Sequence, residues 1–135
     1  MPLRSLLFDT ATLALLCAGL AGCAAPPAQA PANGLSELLE QPAERALVDG
    51  IRHYDDGQYL QAEPALRQAL QAGLRSPRDQ SRAHKLLAFI TCTSERATEC
   101  EAEFRAARHS DPAFALSRSE VGHPLWGPVY RKTVP

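Results

Sequence analysis

The stretch GQYLQAEPALRQAL, residues 57–70, decides the fold. Its small and apolar side chains recur at Ala62, Leu66 and Ala69, a spacing that places them on one face of an α-helix. The sequence puts Pro64 in the first turn, where a missing amide costs little because the first amides of a helix have no internal acceptor. The stretch therefore predicts an amphipathic helix that packs through small residues.

Three more helices are predicted around this one from the same periodicity. Asp55-Asp56-Gly57 breaks the chain before it, and Ser76 and Pro77 after it are typical of a helix start. Only 6% of the residues are aromatic, and Ala and Leu are abundant, which favours an all-α fold. The apolar faces of the three helices consist of Ala43, Ala46, Leu47, Gly50, Ile51 and Tyr54; Ala83, Leu86, Leu87 and Ile90; and Cys100, Phe104 and Ala107.

The second and fourth helices repeat the same pattern. Ala62, Leu66 and Ala69 correspond to Cys100, Phe104 and Ala107, 38 residues further on. Residues 57–70 resemble a tetratricopeptide repeat, whose period is about 34 residues. The resemblance implies about two tetratricopeptide-like helical hairpins, with a short C-terminal capping helix or segment. A generic helical bundle without repeat geometry is the alternative.

The amino terminus has the features of an export signal. A mostly apolar run from Leu6 to Leu20 is shorter than the roughly 20 residues that span a membrane. It ends in Leu20-Ala21-Gly22-Cys23, which resembles the lipobox of bacterial lipoproteins. The resemblance implies a signal peptide over residues 1–22 and a covalent lipid, palmitate included, on Cys23. Ala24 then points to the outer membrane, facing the periplasm.

A flexible tether is expected over residues 23–34, after the lipidated cysteine. Residues 24–34 contain no charge and no large apolar side chain, so they cannot bury enough surface to offset the entropy of ordering. The folded domain is predicted over residues 35–135, with its cap over 111–135. The formal net charge of the chain is -1, and this balance makes nucleic acid an unsuitable partner.

Cys92 and Cys100 are placed by the predicted helices on either side of a short turn. Their α-carbons are then close enough for a disulfide, and an exported location is oxidising. Two buried free thiols and a redox site are the alternatives. The C-x-x-C spacing of many redox sites is not present.

The C-terminal sequence is the most specific part of the chain. Residues 114–128 read FALSRSEVGHPLWGP, and Ser117 and Glu120 form a candidate capping box. Together with the lipobox, the repeat and the cysteine pair, this ending resembles the small TssQ-type lipoproteins found with type VI secretion systems. Trp126 is interpreted either as a cap on the last hairpin or as part of a docking element with Tyr130.

No enzyme is predicted. The four histidines do not have the spacing of a metal site, and no nucleophile motif or phosphate-binding loop is present. We therefore expect no catalytic residue, no metal and no cofactor other than the lipid on Cys23, and no small-molecule substrate.

Protein binding is the expected activity. In tetratricopeptide domains the first helix of each hairpin lines a concave face, and the resemblance places Tyr54, Arg82, Lys85 and Phe89 there. We expect Tyr54, Arg82 and Lys85 to hold an acidic peptide, although a merely solvated helix face fits equally well. The resemblance implies a protein-interaction scaffold or accessory factor in type VI secretion, with envelope proteins as partners. A pilotin-like or general outer-membrane assembly lipoprotein is the alternative.

Overall fold

A computed structural model of the chain describes residues 41–134. The predicted signal peptide, the lipidation site at Cys23, the tether and residues 35–40 of the predicted domain lie outside the described residues. Residues 41–134 form helices and no strand, which confirms the all-α prediction. The helices are α1 (Pro42–Asp55), α2 (Tyr59–Ala72), α3 (Pro77–Thr93), α4 (Ala97–Ser110), α5 (Arg118–Val121) and α6 (Trp126–Thr133).

The four longer helices form two hairpins. α1 packs along α2, α3 packs along α4, and contacts between α2 and α3 join the two pairs. Ser76 starts α3 as predicted, because its side chain accepts a hydrogen bond from the amide of Asp79 at 3.3 Å. The largest fully buried side chains come from the inner helix faces: Phe104, Leu66, Leu87, Thr91 and Cys100.

The turns of the two hairpins have the same backbone geometry at the predicted spacing of 38 residues. Gly57 has φ of 72°, and Glu95, 38 residues later, has φ of 61°. The residues that follow them also match: Gln58 has φ of -88° and ψ of 64°, and Arg96 has φ of -92° and ψ of 61°. The amide of Gln58 donates to the carbonyl of His53 at 2.8 Å, and that of Arg96 donates to the equivalent Thr91 at 2.9 Å. The two hairpins are therefore structural repeats.

One prediction about the second helix is wrong. α2 begins at Tyr59, so Pro64 lies beyond its first turn, inside the helix. Proline has no amide hydrogen, and the carbonyl of Leu60, four residues earlier, consequently has no helical donor. Leu60 is 89% exposed, which leaves that end of the helix open to water.

The C-terminal segment contains one helix that the sequence did not predict. Ser117 and Glu120 form the predicted capping box at the start of α5. A second helix, α6, follows and packs against α4 and α3, as α3 packs against α2 and α1. Gly127 permits α6 to lie close to α5, because a Cβ atom there would overlap the carbonyl oxygen of Val121. Thus α6 covers the second hairpin where the first helix of a third hairpin would lie.

Candidate functional site

The structure does not place Phe89 and Tyr130, two of the residues expected to meet a partner, on an open surface. They are 5% and 6% exposed. The Phe89 ring stacks on Trp126 with centroids 4.2 Å apart. The Tyr130 ring meets Phe104 edge-on at 5.2 Å, and its hydroxyl accepts a hydrogen bond from the amide of Leu116 at 3.2 Å. Both aromatic rings are buried because the C-terminal segment folds back over α3 and α4.

Trp126 lies in the capping position. It is half-buried, and its indole N–H donates to the carbonyl of Glu120 at 2.8 Å. His123 stacks on the outer face of the indole ring, with centroids 3.2 Å apart and planes 3° from parallel. The ring is therefore held between Phe89 and His123, with its polar atom satisfied.

Lys85 is also engaged within the chain. Its Nζ donates to Glu120 Oε1 at 2.8 Å and lies 5.6 Å from the centroid of the Phe89 ring. Partial burial opposes ionisation of Glu120, but hydrogen bonds from Lys85 and Ser117 outweigh it, so the pKa of Glu120 lies below its usual value. This ion pair fastens α5 to α3.

Tyr54 lies near the end of α1 and is half-buried. Its ring lies 5.3 Å from that of Tyr59. The pKa of Tyr54 is raised to about 12, mainly by burial and to a lesser extent by the neighbouring Tyr59 and Glu120. Its hydroxyl therefore keeps its proton at neutral pH. Tyr54 is not among the residues that line the cavity beside α3, where Arg82 and Lys85 lie.

Arg82 and Lys85 line a cavity of about 790 Å³ beside α3. Arg82 is exposed, and neither its side chain nor that of Arg78 has a hydrogen bond or ion pair with any residue of the described range 41–134. Asp111, the carboxylate in the lining, accepts a hydrogen bond from the amide of Ala113 at 2.9 Å. The lining residues are Arg78, Ser81, Arg82, Lys85, Asp111, Ala113, Phe114 and Ala115. The surface of this cavity is cationic.

A charged cluster between the hairpins was not found by sequence reasoning. Glu63 of α2 accepts hydrogen bonds from Arg96 at 2.6 Å and from Arg67 at 2.8 Å. Arg67 also donates to Glu103 of α4 at 3.2 Å, and Glu103 lies 2.7 Å from Nδ1 of His84. The pKa of Glu63 is lowered to about 2, chiefly by the hydrogen bond from Arg96. Burial alone would raise this pKa, and the hydrogen bond from Arg67 lowers it further. The four-residue spacing of Glu63 and Arg67 was the available signal.

Cys92 and Cys100 form the predicted disulfide across the α3–α4 turn. Their α-carbons lie 5.1 Å apart, and Cys100 is completely buried. The bond joins the last turn of α3 to the first turn of α4, next to Glu95 with its positive φ. Its position identifies a structural role in closing the second hairpin.

Within residues 41–134, no group of three or more His, Cys, Asp or Glu side chains is arranged to hold a metal ion. No helix in the same range is long and apolar enough to cross a membrane. The chain matches no protein-family model, no curated protein and no solved structure.

Proposed function

We propose that the chain is an outer-membrane-anchored periplasmic lipoprotein that acts as a protein-interaction scaffold or accessory factor in type VI secretion. Stacked helical hairpins characteristically present extended surfaces to other polypeptides. The observation that carries this proposal is the open cavity beside α3. There, the guanidinium groups of Arg78 and Arg82 are unpaired within the described residues and accessible to a partner.

The anchor and the secretion machine rest on the sequence. Leu20-Ala21-Gly22-Cys23 is the basis for the lipid anchor, and the resemblance of residues 114–128 is the basis for type VI secretion. Most of the residues that carry this second resemblance have structural roles, since Glu120 pairs with Lys85 and Trp126 stacks on Phe89. These contacts support a capping role for the ending, and we propose that the partner surface is the cavity beside α3, to which Phe114 of the ending also contributes.

The test is crosslinking in the intact envelope of the native organism, followed by purification of the tagged full-length chain and mass spectrometry. We expect co-purification of baseplate or membrane-complex proteins of a type VI system. A Cys23→Ser variant is the control, because it removes the lipid attachment site and is expected to leave the membrane fraction. Capture of a secretin or of outer-membrane assembly proteins would contradict the type VI proposal and favour the pilotin-like alternative.

A further inference from the structure

The cavity beside α3 has two walls of different chemistry. The first half of α3 supplies the cations, and the loop that follows α4 supplies Ala113, Phe114 and Ala115. Phe114 is half-buried, and its ring is held edge-on against Tyr130 at 6.2 Å. The cavity, at about 790 Å³, falls in the usual size range of ligand sites. It therefore presents a charged wall and an apolar wall to one ligand.

The charges of this cavity are unbalanced. Lys85 is paired with Glu120, and Asp111 accepts a hydrogen bond from a backbone amide but forms no ion pair within residues 41–134. Arg78 and Arg82 are therefore unpaired in the described part of the chain, and their two charges exceed the single charge of Asp111. These two arginines are four residues apart on α3, so they lie side by side on one face of the helix. Like charges at this spacing repel each other, and an anionic ligand between them removes the repulsion.

The geometry of arginine narrows the ligand class. A guanidinium group binds a carboxylate through two parallel hydrogen bonds, and an exposed, unpaired group has all its donors available. Two such groups side by side match two carboxylates on neighbouring residues of a polypeptide. Phe114 then offers a surface to one apolar side chain of the same segment. A planar anionic membrane does not enter a concave cavity, and the chain has no basic excess to attract it.

We propose that this cavity binds an acidic peptide segment of a partner protein, with carboxylates at Arg78 and Arg82 and an apolar side chain against Phe114. This inference rests on the proposed protein-interaction function and names the chemistry of the segment that is recognised. Lys85 and Tyr54 contribute no direct contact, because Lys85 is already paired with Glu120 and the cavity is not lined by Tyr54.

The experiment measures binding of a fluorescent, end-capped peptide of Glu and Ala with one Phe to the full chain carrying Cys23→Ser. An otherwise identical peptide with Gln in place of Glu is the uncharged match. We expect the Glu peptide to bind at least tenfold more tightly, and Arg78→Ala with Arg82→Ala to lower its affinity at least tenfold. Arg75→Ala is the control, because Arg75 is exposed close to α3 but outside the cavity. It should change the affinity less than twofold.

Three results of the binding measurements would overturn the inference, and a fourth comes from competition with vesicles. They are equal binding of the two peptides, unchanged affinity in the double variant, and an equal loss from Arg75→Ala. Displacement of the peptide by phosphatidylglycerol vesicles, and not by phosphatidylcholine vesicles, would likewise overturn it in favour of a membrane surface. These outcomes are independent of the envelope crosslinking, which can still capture secretion proteins when the cavity does not bind the acidic peptide.

Discussion

Glu63→Gln tests the contact between the two hairpins. Glu63 of α2 is held by Arg96, at the start of the second hairpin, and by Arg67. Its pKa falls from 4.5 to about 2, and one pKa unit corresponds to about 1.4 kcal/mol, which gives an upper bound of roughly 3.4 kcal/mol. The side chains of Glu63 and Arg96 are 21% and 34% exposed, so solvent screening reduces this value. We expect the substitution to lower the free energy of unfolding by about 1–2 kcal/mol at pH 7.

The pH dependence of this effect has a definite sign. The pKa of Glu63 is lower in the folded chain than in the unfolded chain, so the unfolded state binds more protons between about pH 5.5 and 2. The stabilisation is complete above this window and is lost as the pH falls through the folded pKa. With these two pKa values, more than half of it is gone at about pH 3.

The assay is urea unfolding of the parent chain and the variant at pH 7 and pH 3, followed by circular dichroism. Glu101→Gln is the matched control, because Glu101 pairs with Arg105 at the same four-residue spacing, 38 residues after Glu63 and Arg67. That pair is on one helix and more exposed, so its loss should cost about 0.5 kcal/mol or less. An equal loss from both substitutions, or a Glu63→Gln effect that is the same at both pH values, would refute this reasoning.

Three further predictions concern the second hairpin and its cap. Trp126→Ala removes a half-buried ring from Phe89 and should lower the free energy of unfolding by about 2 kcal/mol, measured by urea unfolding; a change under about 0.5 kcal/mol would contradict the cap. Replacing Cys92 and Cys100 by Ser should cost about 2.5 kcal/mol, and a reductant should lower the melting temperature of the parent chain but not that of the variant. Glu95→Gly should stabilise by about 0.5–1 kcal/mol in thermal unfolding, because Glu95 has positive φ; destabilisation would contradict this strain.

The sequence predicted the parts of the fold that depend on neighbouring residues. The four long helices, the cap at Ser76, the capping box at Ser117 and the repeat spacing follow from periodicity and from residues within four positions of each other. The disulfide between Cys92 and Cys100 was also predictable, since only eight positions separate the two cysteines.

The parts that were missed depend on contacts between distant segments. α6 was not predicted because Gly127 and Pro128 lie in its first turn and resemble a helix-breaking sequence. Phe89 was expected on a binding face because its burial requires Trp126 to fold back over α3. Arg82 was identified, but its neighbours in the cavity come from the loop after α4, about 30 positions away in the sequence.

The most direct test of the proposed function is photocrosslinking from the cavity in the native envelope. A photoreactive amino acid replaces Ala115 in the full-length chain, which leaves Arg78 and Arg82 in place, and the same replacement at Arg75 is the control, since both positions are exposed and only Ala115 lines the cavity. We predict a covalent adduct with an envelope protein of the secretion machine from position 115 and none from position 75. An adduct from position 75 alone, or from neither position, would contradict protein binding at this cavity.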